Sequence, residues 1–263
     1  MDFLPVIRVA DISHFFLLLT RIGSLVFFFP VLNNKAVPAI LKAAFSLLLA
    51  LLFFNLVARP PGPPLFARSL PVIFLELLRE LVIGMVIGLL GNLLFAAVQT
   101  AGQMIGYQMS FAVANVVDPV TSLQVPLIAQ FYYLLAILLF LAFGAHRWIF
   151  QALAGSFNLI PLTGFKPGTG LLEMMMAYGT GMFSTAVKIA APLMVALLLC
   201  DVALGVVART APQMNIFIVG MPLKILLGML LMGFSFSFLS ALMGNLFYRL
   251  FNDIMILMRA AGG

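Results

Sequence analysis

The stretch Glu76–Pro119, ELLRELVIGMVIGLLGNLLFAAVQTAGQMIGYQMSFAVANVVDP, decides how the rest of the chain is read. It opens on charges, runs apolar and glycine-rich, then turns polar without charge before ending in Asp118-Pro119. Its apolar run is far too long and too uniform for a strand, so it reads as helix. Glu76, Arg79 and Glu80 fall on one helical face. Glu76 and Arg79 stand three apart and can pair locally, which leaves Glu80 for Arg21 or for a neighbouring subunit. Gly84 and Gly88, and again Gly102 and Gly106, make small-xxx-small faces that let two helix backbones approach closely. The segment from Gly102 to Pro119 is too polar for a comfortable membrane span and too apolar for a water-washed loop.

Composition limits the surroundings. Of 263 residues, 64% are hydrophobic and 8% charged, against roughly 25% charged in a soluble domain. That much apolar surface needs lipid or apolar protein around it. With 26 Phe and 16 Met the core is soft and adaptable. The net charge of +6 comes from basic residues scattered singly, a pattern of membrane-flank anchors and not of nucleic-acid binding. Cys200 is the single cysteine, so no internal disulfide is possible. His14 and His146 lie far apart, and neither metal-ligand spacing nor a nucleophile, zincin or Walker motif is present. Neither enzymatic activity nor a cofactor is expected. The opening MDFLPVIRVAD lacks a basic cluster and a cleavage site, and is read as retained.

Six apolar stretches come near the ~20-residue length of a span: Ile12–Leu32, Ala43–Ala58, Leu81–Ile105, Leu123–Ala145, Met174–Cys200 and Ile225–Tyr248. The second is short, and Pro192, Gly228 and Gly233 invite kinks in the last two. ARPPGPPLFARS (Ala58–Ser69), PLTGFKPGTG (Pro161–Gly170) and RTAPQMN (Arg209–Asn215) are Pro/Gly connections that helices do not cross. No linker marks a boundary, so residues 1–263 read as one domain. With six spans, eight basic residues fall on one side and four on the other, which places both termini in the cytoplasm.

The isolated charges stand out. Arg21, inside LLLTRIGSLVFFFP, costs at least ~2.5 kcal/mol in hydrocarbon unless paired. It is either half of a buried ion pair fixing helix register or part of an ion or proton path. Lys188, Asp201 and Lys224 are read in the same way, as helix or subunit pairing.

The Glu76–Pro119 stretch closely resembles the hallmark region of the FliR family, which flagellar export shares with virulence type III secretion systems. TRIGSLVFFFPVLNNKAVPAILKAAFSLLLAL (Thr20–Leu51) and APQMNIFIVGMPLKILLGMLLM (Ala211–Met232) resemble the same family in the same order. The resemblance implies an all-α protein of membrane-associated, bent helical hairpins, FliP-like and FliQ-like units joined in one chain within a closed helical assembly. It implies FliP-like and FliQ-like partner subunits, an FlhB-like switch protein, unfolded proteins in transit, lipid contact and a place in the inner membrane at the flagellar basal body. It also implies that the loop after the GQ-x-x-G-x-Q helix projects into the pore and plugs it. Gly106, Met109, Ser110, Phe111, Asn115, Asp118 and Pro119 would then form the plug. Gly102 and Gly106 would permit a bend, and Ser110, where the family often has glycine, would stiffen it.

Two rivals remain on the residues alone. A virulence-type export subunit shares the resemblance. A small secondary transporter or channel would use Arg21, Glu80, Lys188 and Asp201 as a relay, and predicts an inverted repeat that the sequence does not display.

Overall fold

The computed structural model of the chain describes residues 8–33, 37–111, 127–165, 169–211, 213 and 216–262. Among them every regular element is helical: α1 (Val9–Phe28), α2 (Ala39–Phe54), a 3-10 turn (Leu65–Ala67), α3 (Leu70–Gln108), α4 (Leu127–Ala142), α5 (Ala145–Leu159), α6 (Thr169–Thr210) and α7 (Ile216–Gly262). Four helices are long and apolar enough to cross a membrane, or five if α4 and α5 count as one broken span. Of the six stretches expected, Ala43–Ala58 becomes α2, whose 16 residues fall short of a span. The last two are much longer than their hydropathy windows, because α6 runs 42 residues through Pro192 and α7 runs 47 through Pro222, Gly228 and Gly233.

The breaks have local causes. Between α4 and α5, Gly144 takes φ +65 while its N–H donates to the Leu141 carbonyl, a helix end that glycine makes without a Cβ clash. After α5, Gly164 N–H donates to the Pro161 carbonyl at 2.9 Å, closing a turn with Thr163 at φ +67. That left-handed position favours glycine and penalises a β-branched residue by about 1–2 kcal/mol.

The chain forms two compact units, each assembled from separated stretches. Unit 1 takes Met1–Leu93, Ala145–Tyr178 and Tyr248–Gly263, and unit 2 takes Leu94–Gly144 and Gly179–Phe247. In unit 1, α1 buries Leu17, Leu18, Ile22, Leu25 and Val26, and His14 Nε2 donates to the Phe54 carbonyl at 3.1 Å. In unit 2, Phe95, Phe140 and Phe247 form an aromatic cluster with centroids 5.4–6.2 Å apart.

The contact of α1 with α3 organises unit 1. Arg21 Nε meets Glu80 Oε2 at 2.6 Å, both side chains fully buried. Arg21 Nη1 donates to the carbonyls of Ser156 (3.1 Å) and Ile160 (2.9 Å), and its guanidinium lies 4.5 Å from the centre of the Phe157 ring. The other oxygen of Glu80, Oε1, accepts from the strained Thr163 N–H at 2.9 Å. Four residues after Glu80, a Cβ on Gly84 would collide with Ser24 Oγ and the Arg21 carbonyl. On Gly88 it would come within 2.6 Å of Phe28 Cβ, and on Gly91 it would strike the Phe29 ring. Both residue numbers rise along the seam, so α1 and α3 run parallel there.

Two outcomes follow for stability in detergent. Gly84→Ala should destabilise by about 1–3 kcal/mol, since backbone must move to admit the methyl, and Gly88→Leu should abolish folding. Gly23→Ala, on α1 with nothing within 4 Å of its Cβ, should be neutral or better. Thermal unfolding checks the order, and equal tolerance of Ala at 84 and 23 would refute the seam. Arg21→Met should cost about 3–5 kcal/mol by stranding a buried carboxylate. Adding Glu80→Gln should recover much of it, because the amide oxygen still accepts from Thr163. A double variant as unstable as the sum of the singles would show that no charge is stranded.

Candidate functional site

The end of α3 gathers most of the residues singled out by their mixed polarity. Gly102 lies against the backbone of α4: a Cβ there would come within 2.7 Å of Ala129 Cα and 3.0 Å of the Ile128 carbonyl oxygen. Gly106, one turn on, has ordinary spacing of 3.4 Å to Ile128 Cβ. Both glycines are helical. The chain turns later, where Met109 N–H donates to the Ile105 carbonyl (2.9 Å) and Ser110 N–H to the Tyr107 carbonyl (3.0 Å). Ser110 adopts φ +68, the left-handed position at which helices usually end in glycine. The turn thus sits at Met109–Ser110 and not at the glycines.

Met109 is fully buried and fills the space that a side chain on Gly228 of α7 would take. Gln108 Nε2 donates to Asp201 Oδ2 on α6 at 2.8 Å, and Lys224 Nζ on α7 stands 2.7 Å from Asp201 Oδ1. Phe111 lines an apolar cavity of about 690 Å³ with Phe131 and Tyr132 of α4 and with Met229, Met232 and Phe236 of α7. Asn115, Asp118 and Pro119 lie outside the described residues.

The isolated charges divide into three groups. Arg21 and Glu80 meet in unit 1. Glu76 accepts from Arg79 at 3.1 Å and stands 3.6 Å from Arg68, a residue of the Pro-rich turn. Asp201 and Lys224 meet in unit 2, so Arg21 and Lys224 both find a carboxylate within the chain. Lys188 is exposed in the middle of α6 and has no ion pair among the described residues. Sequence reasoning missed Gln108, Arg68 and Thr163. A signal existed only for Gln108, an amide at the end of an apolar helix that has to find a partner away from lipid. Gly228, inside the unbroken run of α7, is the notch that receives Met109. Among the described residues no group of three His, Cys, Asp or Glu could hold a metal ion.

Much apolar surface remains open. In their most apolar windows only 22% of α6 and 11% of α7 is buried, against 50% of α1 and 56% of α3. Phe183, Leu199, Leu226 and Phe234 are all more than 60% exposed. Each such side chain forgoes about 1.5–3 kcal/mol if water covers it, so lipid or protein belongs there.

Residues 12–250 match the family described as bacterial export proteins, family 1. The flagellar biosynthetic protein FliR of Bacillus subtilis (strain 168) is 34% identical over 238 residues, covering 89% of this chain and 90% of that one. FliR of Escherichia coli (strain K12) is 31% identical over 245 residues, covering 92% and 91%. The surface presentation of antigens protein SpaR of Shigella flexneri is 28% identical over 219 residues, covering 81% and 83%. With a match that takes in the Arg21–Glu80 seam, the end of α3 and both long helices, the chain belongs to the bacterial export proteins of family 1, the family of FliR.

Proposed function

We propose that this chain is a FliR-type subunit of the flagellar type III export gate in the bacterial inner membrane, acting as a single functional domain that helps form and plug the channel for unfolded flagellar proteins. The observation that carries this reading is the uncovered apolar surface of α6 and α7, together with a Lys188 in the middle of α6 that has no ion pair among the described residues. A subunit built to be covered by other subunits and by lipid has such faces. FliP-like and FliQ-like subunits are the proposed cover, with an FlhB-like protein as a further contact. Identity to FliR of Bacillus subtilis (34%) and of Escherichia coli (31%) exceeds that to SpaR (28%), which favours the flagellar system. The role is structural, with no catalytic step, and both termini face the cytoplasm.

In the plug, the chain leaving α3 after Ser110 occludes the channel until substrate passes. An apolar constriction excludes water and ions only while side chains fill it. The left-handed Ser110 sets the exit, and Met109 stays anchored in unit 2.

Two measurements test this function. Produced alone in membranes, the chain should aggregate or be degraded, and co-expressed FliP-like and FliQ-like subunits should restore a stable complex; a monodisperse folded chain purified alone would refute obligate assembly. Shortening residues 112–117, which leaves Met109 and Phe111 in place, should give an intact complex that leaks small ions. An intact complex without added conductance would refute the plug, and loss of the complex would mean that the loop serves packing alone.

A further inference from the structure

Four charged side chains among the described residues are at least nine-tenths buried: Arg21, Lys42, Glu76 and Glu80. Three of them meet an opposite charge, Arg21 and Glu80 each other, and Glu76 both Arg79 and Arg68. Lys42, in the first turn of α2, meets none among the described residues. Its Nζ donates to the Asn33 side-chain oxygen at 3.4 Å, longer than an ordinary N–H···O bond, and Asn33 is itself exposed. The sequence offers no remedy nearby. No acidic residue stands between Asp11 and Glu76, and arginines hold both of those. Burying an ammonium is costly unless an anion meets it, so a negative group from outside the chain belongs at Lys42.

The surroundings of Lys42 indicate what carries that group. Lys42 stands in the wall of an open groove of about 410 Å³, lined by Val26 of α1, by Leu32 and Val37 of the connection, and by Leu41, Phe45 and Leu48 of α2. All of these residues belong to unit 1. Among the described residues Lys42 supplies the groove's only polar side chain. An ordinary protein interface carries about one hydrogen bond per 100–200 Å²; these aliphatic walls have nothing to read a peptide with, whereas a hydrocarbon chain needs no such reading. Depth points the same way. The 20 residues of α1 reach about 30 Å, the thickness of a hydrocarbon core. The groove lies at the end of α1, which puts Lys42 at the level of lipid headgroups. From there α2 turns back along α1, since the Phe54 carbonyl at its far end meets His14 near the start of α1. Leu48 is therefore about 9 Å farther along α2, toward the bilayer interior. Leu41 and Leu48 are both more than half exposed, so the groove opens outward.

We propose that the groove between α1 and α2 binds one anionic phospholipid of the phosphatidylglycerol class, with its phosphate on Lys42 and an acyl chain along Phe45 and Leu48. A lysine between apolar helices is a natural phosphate partner. The start of α2, whose first turn holds no acid, adds the positive end of its dipole. A zwitterionic headgroup brings an ammonium that competes for its own phosphate; phosphatidylglycerol leaves that charge to Lys42. The site requires only that α1 span the membrane, and so stands whether or not the chain plugs a channel.

The test uses the full chain in its membrane complex, reconstituted in phosphatidylcholine nanodiscs with a minor share of one lipid carrying radioactive phosphate. That lipid is phosphatidylglycerol in one arm and phosphatidylethanolamine in the other. A photoreactive diazirine side chain close in size to leucine replaces Leu48 in the groove. In a control it replaces Leu52, exposed one turn farther along α2 and outside the groove. On irradiation, position 48 should take label from phosphatidylglycerol roughly tenfold more than from phosphatidylethanolamine, about the worth of one hydrogen bond between charged groups. Position 52 should show no preference. Lys42→Met should abolish the preference at 48, and Lys42→Arg should keep it. If Lys42→Met fails to assemble, the two lipids compared at 48 and 52 still decide, because that comparison leaves Lys42 in place. Equal labelling by both lipids at 48, the same preference at 52, or a preference that survives Lys42→Met would each overturn the proposal. So would a photoadduct at 48 to another subunit in place of lipid, which would assign Lys42 to a protein carboxylate.

Discussion

A fully buried arginine and glutamate, 2.6 Å apart, set the terms for half of this molecule. Two charges taken out of water cost several kcal/mol each unless geometry and further hydrogen bonds compensate. Here the compensation reaches through three elements. Arg21 directs its second nitrogen to the carbonyls of Ser156, in the last turn of α5, and of Ile160 just beyond it, where the helix dipole is negative. Glu80 spends its second oxygen on Thr163, which offsets the strain of a threonine where glycine belongs. To bring the two charges together, α1 and α3 must touch along their backbones. Gly84 and Gly88, one and two turns beyond Glu80, are what lets them.

Unit 2 is organised on different lines. Its aromatic cluster and the Asp201 carboxylate hold together helices whose outer faces stay apolar and open. Most of the burial that would stabilise α6 and α7 has to come from outside the chain. Lys188 belongs to the same pattern, since an ammonium midway along an apolar helix is tolerable only beside a carboxylate or water.

All-helical structure and the glycine seam were legible in the sequence, because periodic apolar runs and small residues four apart act through local geometry. So was the surplus of Glu80, since Arg79 occupies its neighbour Glu76. Which distant residue took Glu80 was not readable, because nothing local distinguishes Arg21 from an acid on another subunit. Helix lengths were misjudged for a physical reason. The last two hydropathy windows are bounded by charges, Asp201 after the first and Lys224 and Arg249 around the second, but side-chain polarity does not interrupt backbone hydrogen bonding, and even Pro192 forfeits only one such bond. At the end of α3 the sequence pointed to Gly102 and Gly106 as the bend. Glycine permits a turn without requiring one, and at Gly102 its use is to admit the backbone of α4. Ser110, a residue with no such licence, makes the turn. The contacts of Gln108 with Asp201 and of Met109 with Gly228 depended on tertiary placement that no local pattern encodes.

The order in which unit 1 is stitched together has a consequence for its synthesis. Arg21 and Glu80 emerge early, yet the carbonyls that complete their coordination come from Ser156 and Ile160, and α5 in turn leans on the C-terminus: Gly155 against Met255, Gly262 against the Leu159 carbonyl. At ~5–20 residues per second on the ribosome, the first helices wait on the order of ten seconds for their last neighbours. Throughout that interval the early helices carry a charge pair with part of its coordination missing, and unit 2 is made and inserted in the gap. Biogenesis must therefore tolerate a half-satisfied charge in the bilayer, which makes the insertion machinery and early subunit contacts as much a determinant of yield as the stability of the finished fold.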